Sequence, residues 1–168
     1  MPNTSLNLEH FLPYQLSVLS NRISQDIAEL YQTRHALGMT EWRVIAVLAQ
    51  HPGISAGEAA ERTAMDKVAI SRAVASLTGS GRVTRDTHEG DRRRAVLRLT
   101  PAGKAIHDDV APLALAYERR LLEGLSADER AALNQLLHRV ADLERAARVR
   151  AQDARVAAIS ARLATEAD

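Results

Sequence analysis

The chain has 168 residues, enough for one domain or for a small domain with helical arms. Apolar residues make up 46% and aromatics only 3%, so a core can be buried and helices are favoured over sheets. The net charge is +1 and there is no cysteine, which excludes disulfides, thiolate zinc sites and cysteine-based peroxide sensing.

No apolar run approaches the roughly 20 residues of a membrane helix. Residues 1–10 hold no basic segment followed by an apolar one. Neither a membrane span nor a signal peptide is expected, and the expected location is the cytoplasm.

Taken in order, Leu12, Leu16, Leu19, Ile23, Ile27 and Leu30 recur at three and four residues. That spacing predicts a helix from about Leu8 to His35, stopped by Gly38. Thr40 is expected to cap a helix over Glu41–Gln50 with Trp42, Ile45, Ala46 and Ala49 on its inner face, closed by His51-Pro52-Gly53. Ser55-Ala56-Gly57-Glu58 has the form of a capping box and opens a short helix to about Arg62. Thr63-Ala64-Met65 makes a tight connection. Asp66 then caps a helix to about Ser80, with Gly79 and Gly81 at its end. A helix, a short turn and a second helix form the geometry that lays the second helix in a major groove.

Two β-prone segments follow, Gly81-Arg82-Val83-Thr84-Arg85 and Asp91 to Thr100, flanking a loop with Gly90 and running into Arg92-Arg93-Arg94. They predict a hairpin with cations near its tip. Thr100-Pro101 opens a helix to about Glu123, bent at Pro112 and ended by Gly124. Ser126-Ala127-Asp128-Glu129 is a second capping box, followed by a stripe of Leu133, Leu136, Leu137, Val140 and Leu143. Residues 145–168, rich in Ala and Arg with a weak stripe at Val149, Val156, Ile159 and Leu163, either extend this helix or fray. No internal repeat is evident.

These elements define a mostly α fold with a small β-hairpin wing. A winged helix-turn-helix DNA-binding domain is expected over residues 38–100, and a helical dimerisation region over 8–37 and 101–164. The charge distribution agrees. From Lys67 to Arg98, eight basic residues stand against three acids, a net +5, which leaves −4 for the rest of a chain of total +1. The long helices at both ends carry more apolar stripe than so small a core can cover, so a homodimer bundle is expected; the alternative is that they pack on their own winged domain.

On the second helix of the motif, Lys67, Ser71 and Arg72 share a side. Ile70, Val74 and Leu77 form the buried stripe, leaving Val68 and Ala69 free to touch thymine methyls. Arg72 reads either a guanine or a phosphate. Arg93 is the candidate minor-groove reader, with Asp91 placed to lock its guanidinium; the same pair would also staple the hairpin. Arg92 and Arg94 alternate with it on the strand and face phosphate or solvent. Ser55 and Thr63 offer hydroxyls to phosphates, although Ser55 also suits a plain cap.

The order of parts resembles the MarR family of bacterial regulators over roughly Leu8 to Arg145. The resemblance is carried by Asp91, Arg93, Leu99, Thr100 and Gly103 around the wing, by Thr40-Glu41-Trp42-Arg43-Val44-Ile45, by Ala64-Met65-Asp66-Lys67-Val68, and by Ser71-Arg72-Ala73-Val74 with Leu77 and Gly81. It implies a homodimer on pseudo-palindromic double-stranded DNA, usually a repressor. It also implies release by a small, often aromatic acid bound between the dimer helices and the DNA-binding lobe. The family has an apolar residue where Arg82 stands, so that position adds charge beside the wing. Arg22, His35 and Arg43 are candidates to hold the carboxylate of such an acid or a phenolic compound, in a pocket lined by Phe11, Tyr14 and Trp42. Trp42 also suits a core anchor, and Arg22 also suits a surface pair with Asp26 four residues on.

The six histidines are scattered, and His107-Asp108-Asp109 reads as a solvated face, so no metal and no cofactor are expected. No Gly-rich phosphate loop or nucleophile elbow appears, and no enzyme is expected. The alternative of a different class is a winged-helix module that binds protein and not DNA, which would not need three arginines on its wing.

Overall fold

The computed structural model describes the backbone of residues 6–88 and 91–165, with side chains outside 87–94 and 159–165. Its described elements are a 3₁₀ turn (Leu8–His10), α1 (Leu12–His35), α2 (Met39–Gln50), α3 (Ala56–Thr63), α4 (Lys67–Gly79), β1 (Val83–His88), β2 (Asp91–Leu99), α5 (Pro101–Leu121) and α6 (Ala127–Thr165). By internal contacts the chain divides into a unit ending at Glu118 and a unit beginning at Arg119.

In the first unit the helix expected from Leu8 is split. A 3₁₀ turn ends at His10 and α1 starts at Leu12, because Pro13 belongs in a first helical turn, where its missing N–H costs nothing. The helix ends at His35 as expected, but its left-handed cap is Ala36 (φ 51) and not a glycine. Gly38 instead begins α2. Its N–H donates to the Glu41 carboxylate at 2.6 Å, so this glycine, and not Thr40, is the cap. The buried face of α2 is Val44, Ile45 and Leu48; Trp42 and Ala46 are half-buried and Ala49 is exposed, a correction to the expected inner face.

The capping box of α3 is present, with the Ser55 and Glu58 N–H groups satisfied by the opposite side chains at 2.8 and 3.2 Å. Ala64 closes α3 in the left-handed region (φ 52). β1 and β2 pair antiparallel from Val83↔Leu99 to Thr87↔Ala95, with an irregularity between Thr87 and His88. A third extended contact, Ile54↔Leu97, ties the α2–α3 connection to β2. Sequence periodicity has no signal for a single-residue bridge.

The core of this unit gathers Tyr31 and Leu37, the inner face of α2, Ala59 and Ala60 of α3, Ile70, Ala73, Val74 and Leu77 of α4, Val83 and Leu97 of the hairpin, and Ile106 and Val110 of α5. The hairpin and α4 are thus nailed to one core, which fixes the relation between the two parts expected to meet DNA. Each fully buried Leu or Ile contributes about 1.5–3 kcal/mol. Pro112 lies inside a continuous α5, which ends at Leu121 and not at Glu123.

In the second unit, Ser126 and Glu129 form the expected capping box (Ser126 N–H to Glu129 Oε2, 2.8 Å; Glu129 N–H to Ser126 Oγ, 3.2 Å). The bond from Ser126 pulls the Glu129 carboxyl below its usual range. From there α6 runs 39 residues without interruption, so residues 145–165 extend the helix. Its apolar stripe is exposed, including Leu136 (59%) and Leu143 (61%).

Candidate nucleic-acid interface

The face of α4 is set by its cap. Asp66 Oδ1 accepts from the N–H groups of Val68 (2.9 Å) and Ala69 (3.1 Å), two of the donors a helix start leaves orphaned. With Ile70, Ala73, Val74 and Leu77 turned into the core, Lys67, Val68, Ser71 and Arg72 are all exposed. Val68 is an exposed apolar residue, at 57%.

The four residues do not share one cleft. Ser71 lines a cleft of about 500 Å³ between the start of α3, α4 and the hairpin, where Ser55, Gly57, Thr78 and Arg85 also contribute. Arg72 lies on the other side of α4, in a shallower cleft of about 400 Å³ shared with Gly38, Thr40, Glu41 and Ser76. There the Ser76 hydroxyl donates to the Glu41 carboxylate at 2.6 Å, joining the middle of α4 to the start of α2. Arg85 counted only towards net charge in the sequence; its place on the cleft wall follows from the register Arg85↔Leu97, which sequence spacing does not supply. The Thr63 hydroxyl donates to Ala59 O (2.8 Å). The Asp91–Arg93 pair and the orientations of Arg92 and Arg94 lie outside the described side chains.

Arg82 is a different matter. Its guanidinium donates to the main-chain oxygen of His35 at 2.9 Å and is half-buried. The charge expected to lie beside the wing is engaged with the end of α1, where a cation is favoured by the helix dipole.

The candidate ligand residues fall into two groups. Trp42 is stacked between Tyr31 (5.7 Å between centroids) and His107 (6.2 Å), joining α1, α2 and α5 as a core anchor does. Burial pushes the Tyr31 hydroxyl up, against a smaller opposing effect of Arg43. Arg43 donates to Ser24 Oγ (3.2 Å), and His35 Nε2 meets Asp109 Oδ2 (2.9 Å). Phe11 and Tyr14 are exposed at the opposite end of α1, as is Arg22 further along. At about 1.5 Å per residue, Tyr14 and His35 are roughly 32 Å apart. None of the six lines the cleft of about 540 Å³ formed by Leu48, Pro52, Arg98, Leu99, Lys104 and His107 among others.

One expectation about charges is corrected: Asp26 accepts from the Tyr117 hydroxyl (2.7 Å), which raises the tyrosine's pKa. Asp108 and Asp109 lie on an exposed face, as expected, and carry surface ion pairs there. Asp109 holds the last turn of α1 through His35 and Arg34, and His35 foremost pulls its carboxyl below the usual range. Asp108 is lowered by Lys104 first and by His107 next. Among the described residues no group of three His, Cys, Asp or Glu could hold a metal ion. No helix among them is long and apolar enough to cross a membrane.

A helix-turn-helix followed by a two-stranded wing defines a winged helix-turn-helix protein. Residues 37–94, about a third of the chain, match the MarR family model. The repressor NicR of Pseudomonas putida is 31% identical over 58% of this chain and 62% of its own length, so the chain spans under two thirds of that relative. Among solved structures, a CouR described as a transcriptional repressor bound to a 23-mer DNA duplex is 27% identical, with a TM-score of 0.70 over 82% of this chain and 99% of that one. PcaV of Streptomyces coelicolor, a regulator solved with its natural ligand, is 26% identical, with a TM-score of 0.65 over 83% and 97%.

Proposed function

We propose that the chain is a cytoplasmic transcription regulator that binds a pseudo-palindromic operator as a homodimer and is released by a small aromatic acid or phenolic compound. The observation that carries this reading is the solvent-facing set Lys67, Val68, Ser71 and Arg72 on a helix whose other face is locked in the core. Beside it stands a hairpin within the segment of net charge +5. The likeness to CouR, described on DNA, supports the same use of this fold.

In this mechanism each subunit lays α4 in a major groove and its wing in the flanking minor groove. The two α4 helices then sit about one DNA turn, ~10 base pairs, apart. The partner subunit covers the exposed stripes of α1 and α6. The helix α1 is too long for one small molecule to touch both Tyr14 and His35 of the same subunit. A ligand that uses both ends of α1 takes Phe11 and Tyr14 from one subunit and His35 from the other, and so acts on the spacing of the two lobes. Different affinity for two lobe spacings is all that release requires.

The test is Arg93→Ala. In a gel-shift titration with an operator selected by the wild-type protein from a random duplex pool, affinity falls by about tenfold or more, in line with loss of a groove-inserted arginine. Sedimentation shows the assembly unchanged. Undiminished affinity removes the wing from the mechanism.

A further inference from the structure

We infer that Arg82 is a positioning residue that ties the end of α1 to the base of the wing, and that it does not contact DNA phosphate. This inference rests on the DNA-binding function proposed above. Arg82 stands immediately before β1, and its three polar groups go to three different helices. The main-chain N–H donates to Leu77 O on α4 (2.8 Å), and the carbonyl accepts from Thr100 N–H at the start of α5 (3.1 Å). The guanidinium donates to His35 O at the end of α1 (2.9 Å).

The joint around it is tight. Thr100 Oγ1 donates to Gly81 O at 2.7 Å and accepts from Gly103 N–H at 3.1 Å. A Cβ on Gly103 would stand 2.1 Å from Arg82 O, so α5 approaches this carbonyl as closely as only glycine allows. Gly81 holds a positive φ of 68 just ahead, which aims Arg82 back at the helix ends. His35 O belongs to the last turn of α1, whose carbonyls lack helical donors, and a cation there offsets the helix dipole. The ring of the same His35 is bonded to Asp109 on α5. The last turn of α1 is therefore gripped from both sides, and one grip is the residue from which the wing springs. A shift of α1 is transmitted through Arg82 to the wing and to the end of α4.

The experiment measures duplex affinity of the full-length chain across a salt series, using the selected operator, for wild type, Arg82→Leu, Arg82→Gln and Arg82→Lys. A residue that acts through position weakens binding without changing the number of counterions released. The expected result for Arg82→Leu and Arg82→Gln is a loss of about tenfold, with the slope of log K against log salt unchanged, and retention of most affinity by Arg82→Lys. A slope shallower by about 0.9 per subunit would identify a phosphate contact and overturn the inference. So would a lower melting temperature with wild-type affinity, the mark of a merely structural role. If Arg82→Leu fails to melt cooperatively, Arg82→Gln decides by the same criteria. Absence of salt-dependent binding by the wild type would instead overturn the DNA-binding function itself.

Discussion

At the scale of single residues, α4 shows how burial separates roles that the sequence mixes. Ser71 and Arg72 are neighbours, yet they line clefts on opposite sides of the helix. Arg72→Ala therefore tests one cleft at a time. If Arg72 reads a base, the change costs about 1–3 kcal/mol on the selected operator and relaxes selectivity at one position; if it meets phosphate, affinity falls on all sequences alike. Binding to a panel of operator variants distinguishes the two. Asp109 gives a prediction in pH. Its carboxyl is held below the ordinary range of about 4, first by His35. A depressed carboxylate stabilises the fold above its unfolded pKa, and that contribution is lost as pH falls through the folded value. Asp109→Asn is thus expected to lower the melting temperature at pH 6, with the difference from wild type shrinking towards pH 3. A difference that stays constant over this range would show that the pair contributes no proton linkage.

At the scale of elements, boundaries with side-chain chemistry of their own were legible in the sequence, and those set by neighbours were not. Ser55 with Glu58, Ser126 with Glu129, and Asp66 all cap as their spacing predicts, because each cap is completed within four residues. The left-handed cap at Ala36 had no such signal: it stands between His35, whose carbonyl accepts from Arg82, and the fully buried Leu37, both contacts made with residues distant in sequence. The same reasoning explains Trp42, whose partners Tyr31 and His107 come from helices distant in sequence. Arg82 was read as free charge because nothing local reveals a carbonyl 47 residues away. Gly103 is the corresponding test at an element junction. Gly103→Ala places a methyl 2.1 Å from the Arg82 carbonyl, so α5 must move off the wing base. A thermal melt is expected to show destabilisation of about 1–3 kcal/mol, the range for overpacking; an unchanged melt would mean that this contact does not constrain α5.

At the scale of the whole molecule, the winged helix-turn-helix was legible because its core stripe, caps and hairpin are each encoded locally and agree. The use of the long helices was less so. Six positions of the α1 stripe were predicted to face one side, but the residues of α1 that its own unit buries are Ala28 and Tyr31; Leu12, Leu16 and Leu19 remain exposed. Together with Leu133, Leu136, Leu137, Val140 and Leu143 of α6, they are the apolar surface that the proposed homodimer covers. A dimer also explains why a chain of net charge +1 concentrates +5 between Lys67 and Arg98: two such segments, held a DNA turn apart, present one basic face. The most direct test is anisotropy of the selected duplex titrated with the full-length chain at several salt concentrations. The account predicts saturation at two chains per duplex and a log–log salt slope of several units, about 0.9 for each phosphate neutralised. Saturation at one chain, or binding indifferent to salt, would contradict it.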